Sequence, residues 1–189
     1  MARDIDILSA MAERGLAAVG VSVTTLDWDL ARKMEPRAAA PLRRLDTISR
    51  LSDAGIPVAV MAAPMIPFLN DAELESILEA AALSGAGGAT YIFLRLPLEL
   101  KELFSEWLEA HAPGKARHVL NMVRESRWGR LYSSDFSTRM SGTGAYADML
   151  ARRFQLACRH LGLNRVRGAL GGLDTTQFRP PGGRQLRLL

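Results

Sequence analysis

Cysteine is nearly absent: Cys158 is the single one in 189 residues. That excludes an intramolecular disulfide, and it excludes any metal or cluster site built from cysteines of this chain alone. Histidine is scarce too, and His111, His118 and His160 lie far apart without ligand spacing, which favours surface or capping roles. No apolar run is long enough to span a bilayer, and Met1-Ala2-Arg3-Asp4-Ile5-Asp6 lacks the apolar core of a signal peptide. The expectation is a soluble, cytoplasmic protein with no membrane partner. There is no P-loop lysine, no nucleophile motif around the scattered serines, no repeat period, and no basic segment interleaved with aromatics.

What is present is ordinary for a globular domain. Hydrophobic residues make up 48% and charged residues 23%, which argues against wholesale disorder. The formal net charge is +4 and the isoelectric point about 9.7, carried by arginines far more than lysines. The basic residues are scattered, with local enrichment only from Arg152 onward. This balance permits a nucleic-acid or phosphate partner without requiring one; a solvated basic face is the plainer reading.

Hydrophobic spacing then gives the order of elements. Ile5, Leu8, Met11 and Ala12 form a helical stripe that Gly15 ends. Residues 16–23 follow as an apolar run without alternation, suited to a strand buried on both faces of a parallel sheet. A domain rarely opens on a helix feeding such a strand, so the start is expected to be cut. Leu42, Leu45, Ile48 and Leu51 predict a second helix ending at Gly55, and Pro57 to Ala63 a second strand closed by Pro64. Asn70 with Glu73 suits a helix cap, and Leu74, Ile77, Leu78 and Ala81 mark one face of the helix that follows. After a glycine-rich turn, Thr90 to Arg95 reads as a third strand. Strands alternating with helices give two parallel crossovers.

Beyond Pro97 the chain becomes helical. Leu100, Leu103, Phe104, Trp107 and Leu108 fit one amphipathic helix broken at His111-Ala112-Pro113-Gly114, and a second is expected over 115–127. An irregular stretch over 128–144 precedes a last helix striped by Tyr146, Met149, Leu150, Phe154, Ala157, Cys158 and Leu161. Gly142-Thr143-Gly144 before that helix is either a phosphate cradle or, more simply, a connector. The tail over 165–189 is expected to be mobile.

Three blocks at the strand ends carry a family resemblance. Val21-Ser22-Val23-Thr24-Thr25-Leu26-Asp27, with Met34-Glu35-Pro36-Arg37-Ala38 and Arg43-Arg44-Leu45, resembles the fourth-strand region of radical S-adenosylmethionine (radical SAM) proteins related to spore photoproduct lyase. Within that group it looks most like a bacterial branch described by analogy as DNA repair photolyases. Residues 62–71 (Ala-Ala-Pro-Met-Ile-Pro-Phe-Leu-Asn-Asp) resemble the branch's fifth strand and loop, and Leu94-Arg95-Leu96-Pro97 its sixth. Residues 138–144 and 158–164 resemble its carboxy-terminal extension. Two features depart from the pattern: the C-x3-C-x2-C segment is missing, and Phe68 and Ser141 stand where the branch usually has glycine and arginine.

The resemblance implies an α/β fold: an incomplete parallel β/α barrel whose second half is residues 1–98, three βα units, followed by a helical carboxy-terminal extension over 99–164. It implies S-adenosylmethionine and a [4Fe-4S] cluster as cofactors of the parent family, neither expected to bind stably to this chain alone, and an amino-terminal half carrying the three cysteines as a partner. Cofactor-wall candidates follow from it. Ser22 and Thr24 offer hydroxyls, with strand-end hydrogen bonding as an equal alternative. Arg37 and Arg44 suit a carboxylate, with surface solvation as the simpler role for each. Met65 and Ile66 suit an adenine face or plain core packing. Arg95 ends an apolar run and either faces the barrel mouth or reaches water. Catalysis by this chain alone is not expected. The competing expectation is a basic, nucleic-acid-associated module without catalysis of its own.

Overall fold

The computed structural model describes residues 2–165 and 172–179. A 3-10 turn leads into α1 (Ile5–Ala12), then β1 (Val19–Ser22), α2 (Trp28–Met34), α3 (Pro41–Asp53), β2 (Val58–Met65), α4 (Leu74–Leu83) and β3 (Gly88–Phe93). The extension supplies α5 (Leu100–His111), α6 (Pro113–Glu125) and α7 (Gly144–Leu161). The three strands form one parallel sheet in the order β1-β2-β3, consistent with a partial β/α barrel followed by a helical part.

Register separates the two faces of this sheet. Val21, Val60 and Ala89 are aligned across the strands and buried, on the face against which α3, α4 and α7 pack. Ser22, Met61 and Thr90 are aligned on the opposite face, and all three are only half-buried. Parallel sheets are normally covered on both faces, so this second row is conspicuous.

The two outer edges also differ. Beside β3, the Asn164 side chain accepts from Ala89 N at 2.8 Å and donates to Ala89 O at 2.9 Å. Asn164 N donates to Gly87 O at 3.0 Å, and Phe93 N donates to Met140 O at 2.8 Å. That edge is blunted by irregular chain. Among the described residues no strand or loop runs along the outer edge of β1, where Arg44 alone reaches the Ser22 carbonyl.

Several expectations change in detail. β2 runs through Pro64 to Met65, with its pairing to β3 irregular between Ala62 and Met65. Leu42 is 79% exposed; Pro41, Ile48 and Leu51 form the buried side of α3 instead. The short helix α2 has no stripe to announce it, but Asp27 caps it by accepting from Asp29 N and Leu30 N. Asn70 and Glu73 do not cap α4; both side chains turn back toward β1.

One apolar cluster runs from Val21 and Ile48 through Phe93 and Leu96 to Leu108, Val123 and Leu150, so the extension shares its core with the βα units. Arg153 on α7 grips Glu75 on α4 through two bonds, at 2.7 and 2.5 Å, and donates to Asp71 O at 3.0 Å. Of the expected tail, residues 166–171 and 180–189 lie outside the described residues. Within 172–179, Asp174 N donates to Gly15 O at 2.8 Å and Gln177 bonds Arg14.

Candidate functional site

The carboxyl ends of β1 and β2 meet in a dense polar network. Ala63 O accepts from Ser22 Oγ at 3.2 Å and from Thr24 Oγ1 at 3.0 Å. Thr24 Oγ1 also lies 3.2 Å from Glu35 Oε2, which takes Arg44 Nη2 at 2.7 Å. Arg44 donates further to Ser22 O at 3.0 Å and Ala39 O at 2.8 Å, so each of its three guanidinium nitrogens has a partner within the chain.

Behind this network, Asn70 is completely buried and fully bonded. Its Nδ2 donates to Thr24 O at 2.6 Å and Pro64 O at 2.9 Å, and its Oδ1 accepts from Ile66 N at 2.7 Å. Glu73 accepts from Thr25 Oγ1 at 2.6 Å and Leu26 N at 2.7 Å. Each buried polar group here has a partner, which keeps its cost low and the strand ends rigid.

The candidate residues therefore separate. Ser22, Thr24 and Arg44 are brought together around Ala63 O and Glu35. Arg37 stands exposed in the turn after α2, outside the network. Met65 and Ile66 are buried completely in the apolar core and present no side-chain surface to a ligand. Arg95, half-buried beyond the end of β3, belongs to another neighbourhood: its guanidinium lies over the Tyr132 ring and near Met140 Sδ. Glu35, Asn70 and Glu73 are the members that sequence reasoning missed as site residues. The usable signal was polar residues just beyond two apolar strands, where backbone groups need partners.

Thr143 N and Oγ1 both donate to Ser126 O, at 2.9 and 3.2 Å, so the glycine-flanked turn before α7 is a connector and not a phosphate cradle. Among the described residues no group of three or more His, Cys, Asp or Glu could hold a metal ion, and no helix is long and apolar enough to cross a membrane.

A [4Fe-4S] cluster needs thiolate ligands, and the chain does not fit one. Cys158 is buried on α7 with its Sγ 3.8 Å from Asn164 Nδ2, and burial pushes its thiol up to about 11. A single thiol held protonated in an apolar core is neither a cluster ligand nor a nucleophile.

The half-open sheet face, with polar strand ends on one side and helices behind, is the arrangement in which β/α folds hold ligands. Residues 1–81 match the Radical SAM superfamily. The match covers all of β1 and β2 and reaches into α4. Uncharacterized proteins of Mycobacterium tuberculosis and Mycobacterium bovis are 32% identical over 113 residues, 59% of this chain and 33% of theirs. An uncharacterized protein of the Acidianus two-tailed virus is 34% identical over 65 residues, 34% of this chain and 21% of its own. The chain thus spans about a third of the length of the mycobacterial relatives. No solved structure matches it.

Proposed function

We propose that this chain forms one wall of a radical SAM site, in a protein of the branch related to spore photoproduct lyase, and that the cluster thiolates come from polypeptide outside these residues. The observation that carries this reading is the asymmetry of the sheet. The β3 edge is closed by Asn164 and Met140, while among the described residues no strand pairs with the outer side of β1, and the row through Ser22, Met61 and Thr90 is half open. A bare parallel edge is a pairing surface, and the superfamily match lies on that side of the sheet.

In that assembly S-adenosylmethionine would lie across the open face, and the cofactors supply the radical chemistry. The chain's own residues hold the wall in shape. Asn70 and Glu73 fix the loops that leave β1, and the Arg44–Glu35 pair fixes Ser22 and Thr24. Half-buried Ser22 donates to Ala63 O, which leaves its oxygen lone pairs as acceptors for a ligand donor. Buried Thr24 shares its one proton between Ala63 O and Glu35 and holds the strand end in place. With one buried thiol, the chain is catalytically silent by itself.

Anaerobic reconstitution with ferrous iron and sulfide tests this directly. The purified chain is expected to show neither iron–sulfur charge-transfer absorbance nor an EPR signal after reduction. Mixed with a polypeptide carrying the three-cysteine motif, it should copurify in a complex that does. A stable [4Fe-4S] cluster on the chain alone overturns the reading.

A further inference from the structure

Six buried side-chain nitrogen and oxygen atoms have no hydrogen-bond partner among the described residues, and all six lie in one neighbourhood: Nε of Arg95, Nε and Nη1 of Arg127, Nε of Arg139, and the hydroxyls of Ser126 and Thr138. Native structures satisfy nearly all such groups, so a cluster of this kind requires a cause. The chemistry of the cluster is one-sided. Four of the atoms are guanidinium donors, the other two can donate, and among the described residues no ion pair links a carboxylate to any of these arginines.

Arg127 is the centre. It is 1% exposed, yet only its Nη2 is bonded, to Leu94 O at 2.8 Å and Arg139 O at 3.2 Å, with the guanidinium 5.3 Å from the Phe93 ring centre. Burying a cation without a counter-charge is costly even after relaxation. Burial and the nearby Arg95 charge both push the Arg127 guanidinium below its ordinary value. Arg95, half-buried, gives the neighbourhood a side toward solvent; its own contacts, to Tyr132 OH at 3.5 Å and Met140 Sδ at 3.6 Å, are long.

The segment between Ser126 and Thr143 is built to hold these groups together. Its neck is closed by the two Thr143 bonds to Ser126 O, and Phe93 N to Met140 O lays its far end along β3. Gly142, at φ +77°, packs with its Cα side against Phe93 and Ala147, where a Cβ would come within 3.3 Å of the Phe93 ring. A closed loop with its ends joined and its inner donors unspent is a receptor shape.

We infer that Arg95, Ser126, Arg127, Thr138 and Arg139 form a binding site for a phosphate-type oxyanion. Three guanidinium groups match a dianion, and the unpartnered donors of three neighbouring arginines and two hydroxyls, Arg139 with one face already on the Phe136 ring at 4.4 Å, exceed what the two oxygens of a planar carboxylate accept. The oxyanion supplies Arg127 with the counter-charge that the described residues do not provide. This site does not rest on the cofactor-wall reading: it lies at the end of β3, and either can fail without the other.

Titration of the full chain with inorganic phosphate is the test, followed by thermal unfolding and by NMR of the arginine Nε–H groups. Phosphate should raise the unfolding midpoint saturably and move the Nε–H resonances of all three arginines, with chloride and acetate at equal ionic strength doing neither. Arg95→Gln, at the solvent side, should weaken phosphate binding at least about tenfold. Arg127→Met should abolish it while leaving the phosphate-free chain as stable or more so, because an uncompensated buried charge is removed. Competition by a short single-stranded oligonucleotide assigns the oxyanion to a phosphodiester; phosphate binding without such competition assigns it to free phosphate or a monoester. Unmoved Nε–H resonances, an equal response to acetate, or undiminished binding by Arg95→Gln overturns the inference.

Discussion

Asn164 replaces a missing strand: its amide both accepts from Ala89 N and donates to Ala89 O, at 2.8 and 2.9 Å, as a neighbouring peptide group would. It can do so because its own backbone sits at φ +59°, which turns the chain sharply after α7, and asparagine tolerates this region better than most residues. Asn164→Gly keeps the backbone at ease and removes only the amide. It should cost about 2 kcal/mol in denaturant unfolding, since two partly buried peptide groups lose their partner. Asn164→Ala should cost about 1 kcal/mol more, from the left-handed backbone. Equal stability of the glycine variant and the parent would show that the edge is closed by something other than this amide.

Two arginines of the same sequence block separate once folded, and their mutants should separate too. Arg44 donates to Glu35, Ser22 O and Ala39 O with its side chain 14% exposed, whereas Arg37 is exposed and outside the network. Arg44→Met should lower unfolding stability by about 2 kcal/mol, through the two unpaired carbonyls and the orphaned Glu35. Arg37→Ala should stay within about 0.5 kcal/mol of the parent, as for surface positions generally. Chemical denaturation of the pair, side by side, reads the difference, and similar losses in both would contradict the structure.

Burial of Cys158 has a consequence in alkali. Its folded thiol is raised to about 11 from an ordinary 9.0, so the folded chain holds this proton more tightly than the unfolded chain. Stability from this source is whole below pH 9 and is lost as pH rises toward 11, at up to about 1.4 kcal/mol per pH unit in that window. Cys158→Ala should flatten the stability profile between pH 9 and 11 relative to the parent. Near pH 8 the native thiol should resist a disulfide reagent that labels the unfolded chain at once. Rapid labelling of the folded chain would show that the thiol is neither buried nor protonated.

The sheet and most helices were legible because unbroken apolar runs and three-to-four spacing report burial directly. Exact faces were less so. Leu42 fits the stripe of α3 but points to solvent, since Pro41 occupies the first buried position. The strand-end network was half visible. Ser22, Thr24 and Arg44 stand out in the sequence, but Asn70 and Glu73 read as a helix cap, because their local spacing suits one while the bonds that tie them to Thr24, Thr25 and Leu26 span more than forty residues. Arg127 was invisible as anything but the end of a helix. Only the fold shows that α6 stops at Glu125 and that the next turn drives this arginine beneath the loop.

Phe68 occupies a backbone position that favours glycine. Its φ is +63°, where a Cβ crowds the following carbonyl, and the turn is held by Lys115 Nζ donating to Phe68 O at 2.9 Å. Ring contacts offset part of the strain: Phe68 meets His118 edge-on at 6.2 Å and Tyr146 at 6.5 Å between centroids. Replacing Phe68 by either alanine or glycine removes these ring contacts equally and leaves the carbonyl available to Lys115. The difference between the two variants therefore isolates the backbone. Alanine retains the left-handed penalty of about 1–2 kcal/mol. Glycine relieves it but gains freedom in the unfolded chain, which costs roughly 0.4–1 kcal/mol. The first effect is larger, so Phe68→Gly should be the more stable of the two, by about 0.5–1 kcal/mol. Thermal or urea unfolding of both variants reads this balance, and a more stable alanine variant would place Phe68 outside the left-handed region.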